Sequence, residues 1–131
     1  MPVGEIAAVG GGAAAGAWMR WWLGIALNPV FPTLPLGTLT ANLVGGLAMG
    51  AVMELLTRFA GIPAELRLLL TTGFLGGLTT FSTFSAEVTT LFLRRELLWG
   101  AALMAAHVVG SLLMTVLGIV AMRALFIWGK P

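Results

Sequence analysis

Four apolar runs, each long enough to cross a lipid bilayer, occupy nearly the whole chain and leave few folds open. They fall at about residues 6–27, 36–56, 66–93 and 97–127, and a hydrocarbon core ~30 Å thick asks for about 20 apolar residues per helix. What remains is short connections, with no length for a second, soluble domain. Charge content agrees: 9% of the 131 residues are charged and 59% are hydrophobic, against about 25% charged in ordinary soluble domains. Mean hydropathy is +1.01. The expectation is an all-α integral membrane protein, one domain over residues 1–131, with four transmembrane helices and the lipid bilayer as its solvent.

Several function classes drop out. The calculated pI of 10.6 reflects seven basic and five acidic residues dispersed among helices rather than a basic patch, so no nucleic acid partner is expected. Cysteine is absent, which removes disulfides, thiolate nucleophiles and cysteine metal sites. Met1 to Glu5 carry no basic run and the apolar stretch after them is long enough to span, so insertion without cleavage is expected. With no Asp, a single His and no nucleophile paired with a base, the chain is not expected to be an enzyme. Gly76-Gly77 lacks the lysine and the spacing of a phosphate loop.

The connections are marked by proline and glycine. Pro29, Pro32 and Pro35 force a tight return after the first span, and Gly61 and Pro63 mark the turn before the third. The third span is anomalous, because Gly76-Gly77 is followed by Thr79, Thr80, Ser82, Thr83 and Ser85, a poor continuous helix. The spacing predicts a break near residues 76–80, at mid-membrane depth. Lipid cannot satisfy freed backbone groups, so this segment has to face protein or water, and a second copy of the chain is expected to shield it. The fourth span, bracketed by Trp99 and Trp128, is about 46 Å long and must tilt or protrude.

Small residues recur at four-residue spacing in Gly12/Gly16, Gly46/Gly50, Gly73/Gly77 and Ala106/Gly110, a signal for close helix packing. Four helices enclose little space, so a polar path is expected between subunits. Placing the N-terminus inside leaves Arg58, Arg67, Arg123 and Lys130 inside and Arg20, Arg94 and Arg95 outside, a bias too small to fix orientation. Two oppositely inserted copies can then pair about an axis in the membrane plane, giving an antiparallel, dual-topology homodimer.

Polar groups within the spans carry what function there is. Asn42 shares a face with Thr38 and Gly46, and a buried amide finds its partners either across a helix interface or in a solvated path. Its donors suit an anion. His107, Ser111 and Thr115 draw a stripe at i, i+4 and i+8; the hydroxyls either line a pore or bond back to their own helix, and a lone His is no metal site. Phe81 and Phe84 either pack or turn their positive ring edges toward an anion path. Glu87 is too deep to stay unpaired and is expected to meet water, a hydroxyl or Arg20 of either subunit. Arg20 itself either snorkels or lines a wet vestibule. Glu54, Glu65 and Glu96 read as ordinary interfacial charges.

The segment from Gly73 to Glu87, GFLGGLTTFSTFSAE, together with Gly37 to Asn42, GTLTAN, and Gly16 to Arg20, GAWMR, resembles the Fluc (CrcB) family of fluoride channels over the whole chain. The resemblance implies a multi-pass protein of the cell's inner (plasma) membrane, an antiparallel homodimer with two pathways that lets fluoride leave passively. It implies that Asn42, Phe81, Phe84, Ser111 and Thr115 contact the ion or line its route, that Thr80 and Glu87 belong to the polar route, and that Arg20 draws anions into a vestibule. It further implies a structural sodium ion at the dimer centre, held by the backbone carbonyls of Gly76 and Thr79 from each copy; oxygen ligands suit that hard cation. Ala13 and Gly46 stand where the family often has glycine and serine. His107 stands about where it often has tyrosine, and a titratable group there would make conduction sensitive to pH.

A narrow route of many donors and dipole edges can replace the shell of a small, strongly hydrated anion. Two other classes compete. A small four-helix, proton-coupled multidrug exporter needs a mid-membrane carboxylate on the first span, where only Glu5 at its edge is available. An accessory membrane subunit without transport would use the polar stripes only for packing.

Overall fold

A computed structural model describes residues 2–129. Met1, at the head of the N-terminal stretch without a basic run, and Lys130, one of the basic residues weighed for orientation, lie outside the described residues. Among residues 2–129, every regular element is helical. Helix α1 spans Val3–Leu27, follows Pro2 and carries Glu5 in its first turn, where a carboxylate complements the helix dipole. A short 3₁₀ turn, Asn28–Val30, leads into α2, Leu36–Arg58, which starts after Pro35. The Asn28 side chain fastens this corner, its Oδ1 accepting from the Gly37 N–H at 2.8 Å.

The third rod is segmented. After Pro63, α3 covers Ala64–Leu68, a π-helical stretch covers Leu69–Leu75, and α4 covers Gly76–Leu78. Thr79 (φ −87°, ψ 152°) and Thr80 (φ −149°, ψ 117°) are extended, and α5 then runs over Phe81–Leu93. Gly76 and Gly77 stay helical; it is the two threonines after them that leave the helix. Helix α5 closes with Arg95 at φ 62°, the Arg95 N–H bonding Phe92 O at 3.0 Å and the Glu96 N–H bonding Leu91 O at 2.9 Å. This is the Schellman ending, usually built on glycine. Helix α6, Leu97–Trp128, completes the chain.

Two glycine seams hold the rods together. At Gly12 and Gly16 the backbone of α1 lies against that of Leu69, Phe74 and Leu78, and Gly77 returns the contact onto Ala13. At Gly46 and Gly50, α2 lies against the carbonyls of Ser111 and Thr115 on α6, while Gly118 sits on Leu47 O. Such approach lets helices associate in lipid, where no hydrophobic drive separates tails from leucines. The Ala106/Gly110 pair does not form a seam: Gly110 meets only the end of the Leu43 side chain, and α6 uses Gly118 instead. Two small apolar clusters fill the interior, one around Leu23, Ala41, Leu75 and Leu78, the other around Phe84, Val88, Leu91 and Leu103.

Much of the outer surface is apolar, with Leu98, Leu112, Leu113 and Leu125 of α6 exposed, and α2 and α6 are each long and apolar enough to cross a membrane. Together these describe a helical membrane protein. Glu54 corrects the sequence reading, for it is not an ordinary interfacial charge. It is 6% exposed, gripped by Arg58 Nε and Arg123 Nε at 2.8 Å each, with the Arg58 guanidinium 4.8 Å over the Phe126 ring. The α2–α6 seam brings Arg123 across to it, a partner remote in sequence.

Valine at Gly50 would drive a branched side chain into the Thr115 carbonyl, which cannot yield; overpacking of this kind costs about 1–3 kcal/mol. A lower thermal midpoint in detergent is therefore expected for Gly50→Val, while Gly10→Ala, with open space around it, is expected to leave the midpoint unchanged or raise it. Glu54→Ala, which strips two charge-assisted bonds from the same seam, is expected to lower the midpoint in the same assay.

Candidate functional site

The site is built around the two residues that leave the helix. Once Thr80 is extended, its peptide N–H and C=O need partners from elsewhere. Asn42, projecting from α2, supplies both: its Oδ1 accepts from the Thr80 N–H at 2.7 Å and its Nδ2 donates to Thr80 O at 3.0 Å. The same Nδ2 lies 3.0 Å from His107 Nδ1 on α6. One side chain thus ties three elements at the interruption. The hydrogen-bond partners of this peptide therefore come from within the chain.

Thr80 also starts the next helix. Its Oγ1 accepts from the Thr83 N–H at 3.1 Å, the N-cap arrangement favoured by threonine, and donates to Thr83 Oγ1 at 3.1 Å. Upstream, Thr79 Oγ1 donates to Leu75 O at 2.8 Å, and its methyl group lies so close to Gly45 that no Cβ fits there. Arg20 Nε donates to Gly77 O at 3.0 Å, placing a guanidinium on the carbonyl end of α4. These diversions have a joint result. The donors that an uninterrupted helix would bring to the Gly76 and Thr79 carbonyls are the N–H groups of Thr80 and Thr83, and both go to side-chain oxygens instead.

Asn42, Thr80, Phe81, Phe84, His107, Ser111 and Thr115 line one cavity of about 430 Å³, together with Thr79, Gly45 and Gly46. Phe84 is buried and Phe81 is 77% exposed. Their rings meet edge to face with centroids 5.4 Å apart, and Phe84 stacks on the His107 imidazole at 4.5 Å. Of the two readings left open for Thr115, bonding back to its own helix is what its proton does, at 2.9 Å from Ser111 O, although the residue still lines the cavity. Asn42 likewise uses its donors within the chain.

Arg20 and Glu87 lie apart from that cavity and from each other. Arg20 lines a second cavity of about 300 Å³ with Asn28, Thr38, Thr80 and Thr83, adjoining the first at Thr80. Glu87 lines a third, of about 230 Å³, near Thr90 and Arg94. Its Oε1 accepts from Thr38 Oγ1 at 2.6 Å and its Oε2 is buried without a hydrogen-bond partner among the described residues. The expected hydroxyl is therefore a partner within the chain, while this chain's own Arg20 goes to Gly77 O. Sequence reasoning missed Thr83 and Gly45. A threonine three residues before another polar N–H at a helix restart is a capping signal that points to Thr83; nothing local marks Gly45, whose neighbour Thr79 comes from another helix.

Comparison with known proteins gives this geometry its context. The sequence profile of the family described as CrcB-like protein, Camphor Resistance (CrcB), matches residues 7–119. A fluoride-specific ion channel FluC of Nitrosospira multiformis is 56% identical over 118 residues, covering 90% of this chain and 92% of the relative. Proteins of the same name from Tolumonas auensis and Aromatoleum aromaticum are 53% and 58% identical, covering 92% and 89% of this chain and 95% and 89% of their own. A match that runs through the first three rods and most of α6, at more than half identity and nearly full mutual coverage, makes this chain a member of the CrcB family.

Proposed function

We propose that the chain is a fluoride channel, a passive conduit rather than a catalyst, in the cell's inner membrane, which it crosses several times. The observation that carries this reading is the pairing of Asn42 with the Thr80 peptide beside a cavity walled by Phe81 and Phe84, in a chain more than half identical to proteins named fluoride-specific ion channels. Ser111, His107 and the two phenyl rings line it, with no Lys or Arg of the described residues beside them, which suits a small anion that must shed its water without being trapped. The pathway residues are Asn42, Thr80, Phe81, Phe84, His107, Ser111 and Thr115, with Arg20 in the adjoining vestibule and Glu87 on the polar route near Thr38.

The exposed Phe81 and the freed carbonyls favour a second copy inserted the opposite way, giving an antiparallel dual-topology homodimer with two routes and the broken third helices crossing at its centre. The Gly76 and Thr79 carbonyls fit a sodium ion at that centre: they are hard oxygen donors whose helical partners are diverted. Two carbonyls per chain are too few for such a cation, so both copies would hold it, and its charge would favour anions nearby. A proton-coupled multidrug exporter is not favoured, since Glu5 sits in the first turn of α1 rather than mid-membrane.

Liposomes containing the purified protein and read with ion-selective electrodes are expected to lose fluoride quickly and chloride slowly, with Phe81→Ile and Asn42→Ala each reducing the fluoride rate by about tenfold or more, the scale of one interaction with an ion. Loss of organic cations against protons, with fluoride retained, would overturn the channel. Exchange of sodium for a larger cation during purification is expected to abolish flux and lower the thermal midpoint, whereas Thr79→Ser, which keeps the main-chain carbonyl, is expected to conduct. Because the chain has no cysteine, single cysteines near the N-terminus report topology directly, and labelling from both faces of the membrane is expected.

A further inference from the structure

Where α2 ends against α6, two arginines share one carboxylate. Glu54 accepts from Arg58 Nε on one oxygen and from Arg123 Nε on the other, at 2.8 Å each. A guanidinium carries five N–H donors in a planar fork. Glu54 engages only the Nε of each, and the Nη groups make no other hydrogen bond among the described residues. Two positive charges against one negative leave the cluster with a net charge of +1. The positive edges lie outward: the carboxylate is 7% exposed, the Arg58 side chain 34% and the Arg123 side chain 60%. Each fork is also held in place, both by Glu54 and Arg58 further by the Phe126 ring, 4.8 Å from its guanidinium carbon. Anchored guanidiniums give up less rotamer freedom on meeting a ligand than freely solvated ones.

The surroundings choose the ligand. Val116, Val120, Arg123 and Ile127 fall at the spacing of one helix face, and the three apolar members are exposed. Phe59, next to Arg58, is exposed too, and the still more exposed Trp128 closes α6 just beyond Arg123; indoles favour the boundary between lipid and water. A soluble anion would leave this apolar strip bare, whereas a lipid phosphate arrives with chains to cover it. Planar donor forks match phosphate oxygens in pairs, and basic recesses between membrane helices suit anionic headgroups. A choline headgroup would bring its own cation to the same edges, which favours a lipid of net negative charge. We infer that the outward edges of Arg58 and Arg123 hold the phosphate of an anionic phospholipid, one of whose acyl chains lies along Val120 and Val116. Glu54 is the positioning residue that sets the two forks side by side. Glu54, Arg58 and Arg123 line none of the three cavities described above, so the inference does not depend on which ion the protein carries.

Native mass spectrometry of the detergent-purified protein, titrated with phosphatidylglycerol or with phosphatidylcholine of the same acyl composition, is expected to show saturable binding of the first. The second is expected to bind about fivefold or more weakly, the scale of one guanidinium's attraction to a charged lipid surface. Arg123→Gln is expected to weaken phosphatidylglycerol by a similar factor and Arg123→Lys to recover part of it, while Arg67→Gln, which removes an exposed charge from α3, is expected to leave it unchanged. Should Arg123→Gln fail to fold, Glu54→Gln/Arg123→Gln removes the carboxylate's charge together with that of its partner, and the same weakening is expected. In a thermal assay phosphatidylglycerol is expected to raise the wild-type midpoint, and inorganic phosphate and glycerol phosphate at matched concentration are not. Equal binding of the two lipids, or phosphatidylglycerol held alike by wild type and the Gln variants, would overturn the inference. A midpoint raised as much by inorganic phosphate would overturn it in favour of a soluble anion. Loss of dimer mass in Arg123→Gln with lipid binding intact would overturn it in favour of a second copy of the chain on the same edges.

Discussion

One peptide group governs the architecture of this protein. In an apolar surrounding the Thr80 N–H and C=O cannot be left to solvent, and their pairing with the Asn42 side chain makes the departure from helix possible. Other features follow from it. Helix α2 must present Asn42 at the height of Thr80, so position 45, one turn along, has to be glycine to admit the Thr79 methyl group. Thr80, released from the helix before it, becomes the cap of the helix after it. The Gly76 and Thr79 carbonyls then lose the donors that a regular helix would bring them.

The rest of the molecule holds α2 and α6 at the spacing this arrangement needs. Glycine contacts bring the two backbones together over Gly46, Gly50 and Gly118, and the Glu54 carboxylate between Arg58 and Arg123 fixes their register at one end. His107 is thereby brought from α6 within hydrogen-bond distance of Asn42. A shift of one turn along the seam would take the imidazole out of reach, so a packing feature sets the chemistry of the cavity.

The sequence makes the helical class, the proline-marked corners and the glycine seams of α1 and α2 legible, because each depends on residues close together in the chain. It also marks the polar residues that converge on one cavity, since Asn42, the two phenylalanines and the His107 stripe are few among many apolar neighbours. Pairings between rods are less legible. Arg20 on the Gly77 carbonyl, Arg123 on Glu54 and Thr79 against Gly45 all depend on distant segments meeting in a particular register. The π-helical stretch is also silent, for Leu69–Leu75 contains nothing that an ordinary helix would refuse apart from one glycine. The pairing of Asn42 with the Thr80 peptide is hidden for a related reason: an asparagine reads equally well as a ligand for a solute or for the backbone.

The length of α6 sets the vertical layout of the assembly. With 32 residues it measures roughly 48 Å, about half as long again as a hydrocarbon slab of ~30 Å. A helix that long has to lean or to project if it crosses such a slab. Near its C-terminal end it is tied to α2, with Phe126 against Phe59 and under Arg58 and Arg123 on Glu54. Any lean of the long helix would therefore carry the end of α2 with it.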